Sequence, residues 1–157
     1  MIQPLSHLNS RGEAQMVDVG AKGATRRTAV ARTEIRIRPG ALKLLKSGTL
    51  EKGDAFTVAK IAGIMAAKKT ADLIPLCHPL PIDHVEIRFT EQAEADGIVI
   101  ESEVRTMSKT GVEMEALTGA AIAALTLYDM VKGCDPGMVL TNLRLIQKTG
   151  GKSDYVV

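Results

Sequence analysis

A short apolar segment rich in proline divides this chain near its middle. Residues 73–81 read LIPLCHPLP, which places three prolines among nine residues. Each proline removes a backbone donor, so the segment can form neither a helix nor a central strand. Because most of its other side chains are apolar, we expect an irregular loop packed against the rest of the protein. Regular structure must therefore form separately on either side of it.

Before this segment the pattern predicts one strand and two helices. Polar and apolar residues alternate over residues 29–38, which is typical of a strand. Pro39 suits the first position of a short helix that ends near Lys46. Asp54 occupies a helix-capping position, and the apolar spacing that follows predicts a helix to about Thr70.

After the proline-rich segment the pattern predicts three strands and one long helix. The strands cover residues 82–92, 97–107 and 138–148. The helix covers residues 110–132, with Thr110 and Glu113 matching a capping box and Ala and Leu filling its interior.

The order strand, helix, strand, strand, helix, strand is that of the ferredoxin-like split βαβ fold, which is α+β. We expect an antiparallel sheet with helices on one face and one domain over residues 1–157. A partly irregular segment, residues 1–25, forms a loosely ordered lead-in. This architecture alone does not settle function.

Charge and cysteine content exclude several classes of protein. Twenty Lys plus Arg against eighteen Asp plus Glu give a formal charge of +2, too small for a nucleic-acid-binding surface. We find no signal peptide and no apolar run long enough to cross a bilayer, so no membrane association is expected. Cys77 and Cys134 are far apart and form no CxxC pattern, which suits a reducing cytoplasm.

The pair Cys77 and His78 lies inside the proline-rich loop. With three His and two Cys in the chain and no pair at ligand spacing, no metal site is predicted. Adjacent side chains in extended backbone point apart, which disfavours a Cys–His nucleophile pair. Either the thiol is buried beside a hydrogen-bonded histidine, or the loop presents backbone groups and the imidazole to a ligand. We favour the second interpretation because it explains an apolar loop so rich in proline.

Both ends of the long helix carry charged residues. Glu113 and Glu115 at its start complement the helix dipole, so a structural role explains them as well as a functional one. Asp129 and Lys132 share a face near its end, either as a surface ion pair or as the edge of a site. Met114 lies eighteen residues before Lys132, roughly 27 Å at the rise of a helix. If both ends are catalytic, the site must be shared between subunits.

Several lysines are candidates for binding phosphate. Residues 150–153, GGKS, resemble the end of a P-loop, but Ile146 occupies the position of its first glycine and no helix follows. This excludes a P-loop NTPase. Lys148 and Lys152 can still contact phosphate oxygens as point charges, whereas Lys52 by spacing alone is a solvated loop lysine.

Taken together, seven segments resemble one family over nearly the whole chain. They are MVDV at 16–19, KGD at 52–54, AGIMAAK at 62–68, LIPLCHPL at 73–80, TGVEMEALT at 110–118, YDM at 128–130 with Lys132, and GGKS at 150–153. They resemble the cyclic pyranopterin monophosphate synthases, the molybdenum cofactor biosynthesis protein C. The resemblance implies a cytoplasmic lyase that converts 3′,8-cyclo-7,8-dihydro-GTP into cyclic pyranopterin monophosphate and releases pyrophosphate. It also implies a homo-hexamer, a trimer of dimers with sites at subunit contacts. No cofactor is expected, although Mg²⁺ can accompany the substrate phosphates.

Residue by residue, the resemblance implies a catalytic role for Asp129, Lys132 and Lys52. The implied substrate-binding residues are Leu76, Cys77, His78, Glu113, Met114, Glu115 and Arg27, to which phosphate chemistry adds Lys148 and Lys152. We hypothesise that the two catalytic lysines exchange protons with the substrate while Asp129 orients Lys132 or tunes its pKa. The rival function is a non-catalytic regulatory module of the same fold that binds a nucleotide or pterin.

Overall fold

A computed structural model describes residues 8–9, 11–48, 50–92 and 96–157. The strands are β1 (Thr25–Arg36), β2 (His84–Glu91), β3 (Gly97–Ser108), β4 (Val139–Thr149) and β5 (Tyr155–Val156). The helices are α1 (Pro39–Ser47), α2 (Ala55–Lys68), α3 (Thr70–Leu73) and α4 (Glu113–Val131).

The described strands form one antiparallel sheet in the order β2-β3-β1-β4-β5. The four long strands have the ferredoxin-like order, so the predicted fold is confirmed. β5, which the pattern did not predict, extends the sheet beyond β4. β1 begins at Thr25 rather than at residue 29, because its first residues pair with the end of β3, from Thr25 opposite Ser108. Those partners are far away in sequence.

The helices cover one face of the sheet. Alternate residues of β1, such as Ala29 and Ile35, are buried with residues of α4. On the opposite face Arg32 pairs with Glu101 of β3 at 2.7 Å. α4 packs against β1, β3 and β4, and α2 packs along α4 and against β2. The split between a buried and a charged face explains the alternation seen in the sequence.

Small residues allow α2 and α4 to approach closely. A Cβ on Gly63 of α2 would lie 2.9 Å from the carbonyl oxygen of Gly119 in α4, closer than packed atoms allow. α4 has nineteen residues and contains an 18-residue stretch with a mean hydropathy of 1.3, so by length and composition it could cross a membrane. The expectation that no apolar run is this long was therefore wrong. α4 is this apolar because it is a core helix, with eight of its residues buried in the protein.

The ends of the two long helices differ in how well their sequences predicted them. The cap of α2 is confirmed, because an Asp54 carboxylate oxygen accepts a hydrogen bond from the Thr57 N–H at 3.1 Å. α2 ends at Lys68, two residues early, and α3 follows. α4 begins at Glu113, after Val112, so the capping box of Thr110 with Glu113 was wrong. Glu113 instead pairs with a lysine of β4.

The proline-rich loop is irregular from Ile74 to β2, as predicted, and its Leu80 and Ile82 pack against the buried cluster around Val104 and Ala116. Of the predicted lead-in, residues 1–7 and 10 lie outside the described residues. The described part up to residue 24 contains one isolated bridge, between Leu8 and Ala14, and is otherwise irregular.

Candidate active site

A cavity of about 360 Å³ opens at the N-terminal end of α4. Three segments form its walls: residues 17–22, residues 76–80 and residues 110–115, with Lys152 beside them. The predicted substrate-binding residues that line it are Leu76, Cys77, His78, Glu113, Met114, Glu115 and Lys152. The fold thus places the proline-rich loop, the start of α4 and the GGKS segment around one space.

Arg27 and Lys148 line an adjoining cavity of about 200 Å³, which shares Gly111, Glu113 and Lys152 with the first. Glu113 Oε1 lies 3.5 Å from Lys148 Nζ. The Arg27 guanidinium donates to the carbonyl oxygens of Ser108 and Lys109, each at 3.4 Å. The structure therefore brings all nine predicted binding residues to one end of the protein.

Gly111 leaves room for the Glu113 side chain. The Glu113 carboxylate folds back over Gly111, and a Cβ at that position would collide with its carboxylate oxygens. Gly150, at the edge of the same region, has φ of +84°, and its missing Cβ would overlap the backbone of Arg26. Two of the glycines in the recognised segments thus serve close packing around the charged groups.

The N-terminal segment forms a wall that the sequence pattern did not predict. His78 Nε2 lies 2.8 Å from the carbonyl oxygen of Val17. Lys109 Nζ donates to the carbonyl oxygen of Gly20 at 2.9 Å. Because a carbonyl can only accept, His78 Nε2 carries hydrogen and Nδ1 is the nitrogen left for a ligand. An apolar pair at Val17 and Val19, in a segment otherwise polar, was the only signal of this contact.

Glu115 is the buried acid of this region. Only 4% of its surface is exposed, and it lies between this cavity and a second one of about 320 Å³ that is bounded by His78, Leu80 and Lys68. Burial raises the pKa of Glu115 to about 6. Burial, with the nearby Glu115, also raises the pKa of the Cys77 thiol. Such an acid is present in both its ionised and its protonated form near pH 6.

The three predicted catalytic residues meet at the other end of α4. Lys132 Nζ lies 2.8 Å from Asp129 Oδ1, and Lys52 Nζ lies 3.2 Å from Asp129 Oδ2. Lys52 also donates to the Asp129 carbonyl oxygen at 2.8 Å. Hydrogen bonds from Lys132 and then Lys52 lower the pKa of Asp129, and the same contact raises the pKa of Lys132. The side chains are about half exposed.

Within one subunit the two groups of residues do not meet. The nineteen residues of α4 separate them, which corresponds to roughly 27 Å between Met114 and Lys132. Among the described residues, no three His, Cys, Asp or Glu side chains lie close enough together to hold a metal ion. The geometry therefore consists of a walled cavity and a separate cluster of two lysines around one carboxylate.

Comparison with known proteins identifies the family. The sequence profile of the MoaC family matches residues 16–151. A cyclic pyranopterin monophosphate synthase of Pelotomaculum thermopropionicum is 54% identical over 95% of this chain and 88% of its own length. Another, from Heliobacterium modesticaldum, is 50% identical over 99% of this chain and 98% of its own length. The chain belongs to the MoaC family.

The MoaC match begins at residue 16, where the wall over His78 begins, and ends at residue 151, beside Lys152. Both ends of α4 lie inside it, with the lysine–aspartate cluster at one and the cavity at the other. A third relative, from Thermomicrobium roseum, carries the same name at 53% identity over 95% of this chain and 90% of its own length.

Proposed function

We propose that this MoaC-family protein is a cyclic pyranopterin monophosphate synthase of molybdenum cofactor biosynthesis. Its substrate is then 3′,8-cyclo-7,8-dihydro-GTP, and it acts as a lyase that releases pyrophosphate. Relatives of that name match the chain nearly end to end. The observation that carries the proposal is the pairing of a nucleotide-sized cavity with a cluster of two lysines around one carboxylate.

The cavity suits a nucleotide derivative in size and charge. A volume of about 360 Å³ is within the range of small-molecule sites. Lys148, Lys152 and Arg27 supply cations for the triphosphate, and Mg²⁺ can accompany it. Glu115 and His78 line the cavity and are suited to hydrogen bonding with the heterocycle.

The lysine cluster suits the rearrangement, which opens and closes rings through several proton transfers. Pairing with Asp129 keeps Lys132 protonated, because it raises the pKa of that lysine. We assign Lys132 as a proton donor, Lys52 as its partner in proton exchange and Asp129 as the residue that orients both. No redox step and no organic cofactor are needed.

Two observations support a site shared between subunits of a hexamer. The cavity and the lysine cluster lie at opposite ends of α4, too far apart for one substrate to contact both. The outer face of α2 exposes Val58, Ile61 and Met65 at helical spacing, and Leu125 of α4 is exposed as well. Exposed apolar surface of this kind is typical of subunit contacts. We propose that the assembly is a trimer of dimers and that it acts in the cytoplasm.

The direct test is turnover of the cyclised dihydro-GTP by the purified protein. Pyrophosphate release and pterin fluorescence after oxidation are followed together. We expect both from the wild type and neither from Asp129→Ala. Binding of the substrate without product would exclude the synthase and favour the regulatory module.

A mixing experiment tests whether the site is shared. Lys132→Met and His78→Ala subunits are each inactive in this proposal but carry lesions at opposite ends of α4. Random co-assembly restores an intact site wherever the two undamaged ends face each other, which is about a quarter of sites. Recovered activity near a quarter of wild type supports sharing, whereas none places each site within one subunit. The control mixes two separate samples of Lys132→Met in the same way, which should recover no activity.

A further inference from the structure

Asp135 is a buried carboxylate that none of the assigned roles explains. It lies in the turn after α4, with 1% of its surface exposed. Its Oδ2 accepts a hydrogen bond from the backbone N–H of Arg38 at 2.8 Å. Its Oδ1 accepts from Arg38 Nε at 2.8 Å and from the Gly137 N–H at 3.2 Å. Burying a carboxylate is costly unless it is hydrogen-bonded, so this one is firmly held.

These contacts join the two segments that carry the catalytic lysines. On one side, Asp135 lies three residues after Lys132, and its N–H bonds to the Val131 carbonyl oxygen at the end of α4. On the other side, Arg38 directly precedes α1. α1 is nine residues long and leads into the turn at residues 50–53 that presents Lys52. α1 therefore lies, along the chain, between the Asp135 contact and the turn that carries Lys52.

The cluster needs such support because packing does not provide it. The side chains of Lys52, Asp129 and Lys132 are 48%, 58% and 54% exposed. Long exposed side chains lose rotamer freedom when they are held in one geometry, so their placement depends on the backbone beneath them.

We propose that Asp135, through Arg38, is a positioning residue that sets the distance between Lys52 and the Asp129–Lys132 pair. The catalytic consequence rests on the proposed function, but the geometric one does not.

The geometric test is the titration of the Asp129 carboxyl, followed by ¹³C NMR on protein labelled at aspartate carboxyl carbons and assigned with Asp129→Asn. Contact with the two lysines lowers the pKa of Asp129. We expect that pKa to move back toward the ordinary value in Asp135→Asn and in Arg38→Ala. Arg38→Ala is included because Asp135→Asn changes a buried group and can disturb folding. The Arg38 side chain is 68% exposed, so its removal should leave the fold intact. Wild-type titration in both variants would overturn the proposal.

Lys46→Ala is the matched control. Lys46 is also on α1, but its ion pair, at 2.7 Å to Glu91, ties that helix to β2 rather than to the end of α4. We expect Lys46→Ala to leave the Asp129 titration unchanged. An equal shift in this variant would show that any loosening of α1 has the same effect, and would overturn the role of Asp135.

The kinetic test separates positioning from general stability. In Arg38→Ala we expect kcat to fall about tenfold with KM nearly unchanged, because misplacement of a catalytic group by a fraction of an ångström is costly while the binding cavity is intact. Arg38→Lys should recover most of the loss. A parallel rise in KM, or no recovery, would contradict positioning. If the wild type itself shows no turnover, the proposed function fails and the titration still decides the geometric proposal.

Discussion

The two ends of α4 hold charged groups in opposite physical settings. At its start, Glu115 is buried among cavity walls, and burial shifts its pKa upward. At its end, Asp129 is exposed, and two lysines shift its pKa downward. A buried acid with a raised pKa in a cavity wall is a candidate for contact with a ligand. At the end of α4, by contrast, two lysines and one carboxylate pair with one another at the surface. Each end supplies what the other lacks.

The largest expected effect is at the exposed end. Lys132→Met should lower turnover by about a hundredfold to ten-thousandfold, because it removes a proton donor. The melting temperature should change little, since Lys132 is half exposed and its ion pair stabilises the fold weakly. Steady-state kinetics and thermal unfolding measure the two quantities. Full turnover would refute the assignment, and Lys43→Met, exposed on α1, is the control.

Glu115→Gln should separate binding from stability at the buried end. Because the pKa of Glu115 rises from 4.5 to about 6 on folding, the folded state binds the proton more tightly, and stability falls as pH rises through that window. The glutamine removes a penalty of about 2 kcal/mol above pH 6. We expect a melting temperature several degrees higher at pH 8, no difference at pH 4, and weaker substrate binding.

Thermal unfolding across pH measures this difference, and calorimetry measures binding. A lower melting temperature at pH 8 in Glu115→Gln would contradict this prediction. It would show that the ionised carboxylate stabilises the fold through a partner within the protein.

Two glycines at opposite ends of α4 give a smaller contrast. Gly111→Ala should raise KM about tenfold, because the new methyl group displaces the Glu113 carboxylate from Lys148 and loses a charged contact. At Gly133 a Cβ meets no atom within 4 Å, so Gly133→Ala should leave KM unchanged. Equal KM values for the two variants would mean that Glu113 does not contribute to binding.

The smallest effect is expected at Cys134, which is a free, exposed thiol two residues after Lys132. Cys134→Ser should change turnover by less than about twofold, as is usual for surface substitutions. A larger loss would add this thiol to the catalytic end. Alkylation of the native protein tests the same point, because it should modify Cys134 first and leave turnover nearly unchanged. Cys77 should react more slowly because it is partly buried.

Much of the fold follows from local sequence. The capping contact of Asp54, the irregular proline-rich loop and the start of α1 at Pro39 were predicted, because each depends on neighbouring residues only. The two ends of the long helix were predicted to within three residues, and the distance between them follows from sequence, since the rise of a helix is constant. The resemblance of seven segments to one family then named the candidate residues.

Only the tertiary structure could decide which distant segments meet. The early start of β1 depends on pairing with β3, and the wall over His78 depends on a carbonyl sixty-one residues earlier. The start of α4 was mispredicted because Glu113 takes Lys148 as its partner rather than a capping role. The sequence analysis did not single out Asp135, whose contact with Arg38 joins residues ninety-seven apart in the chain. Local patterns carry no record of such partners, since a hydrogen bond across the sheet or between helix ends leaves no periodicity in either segment.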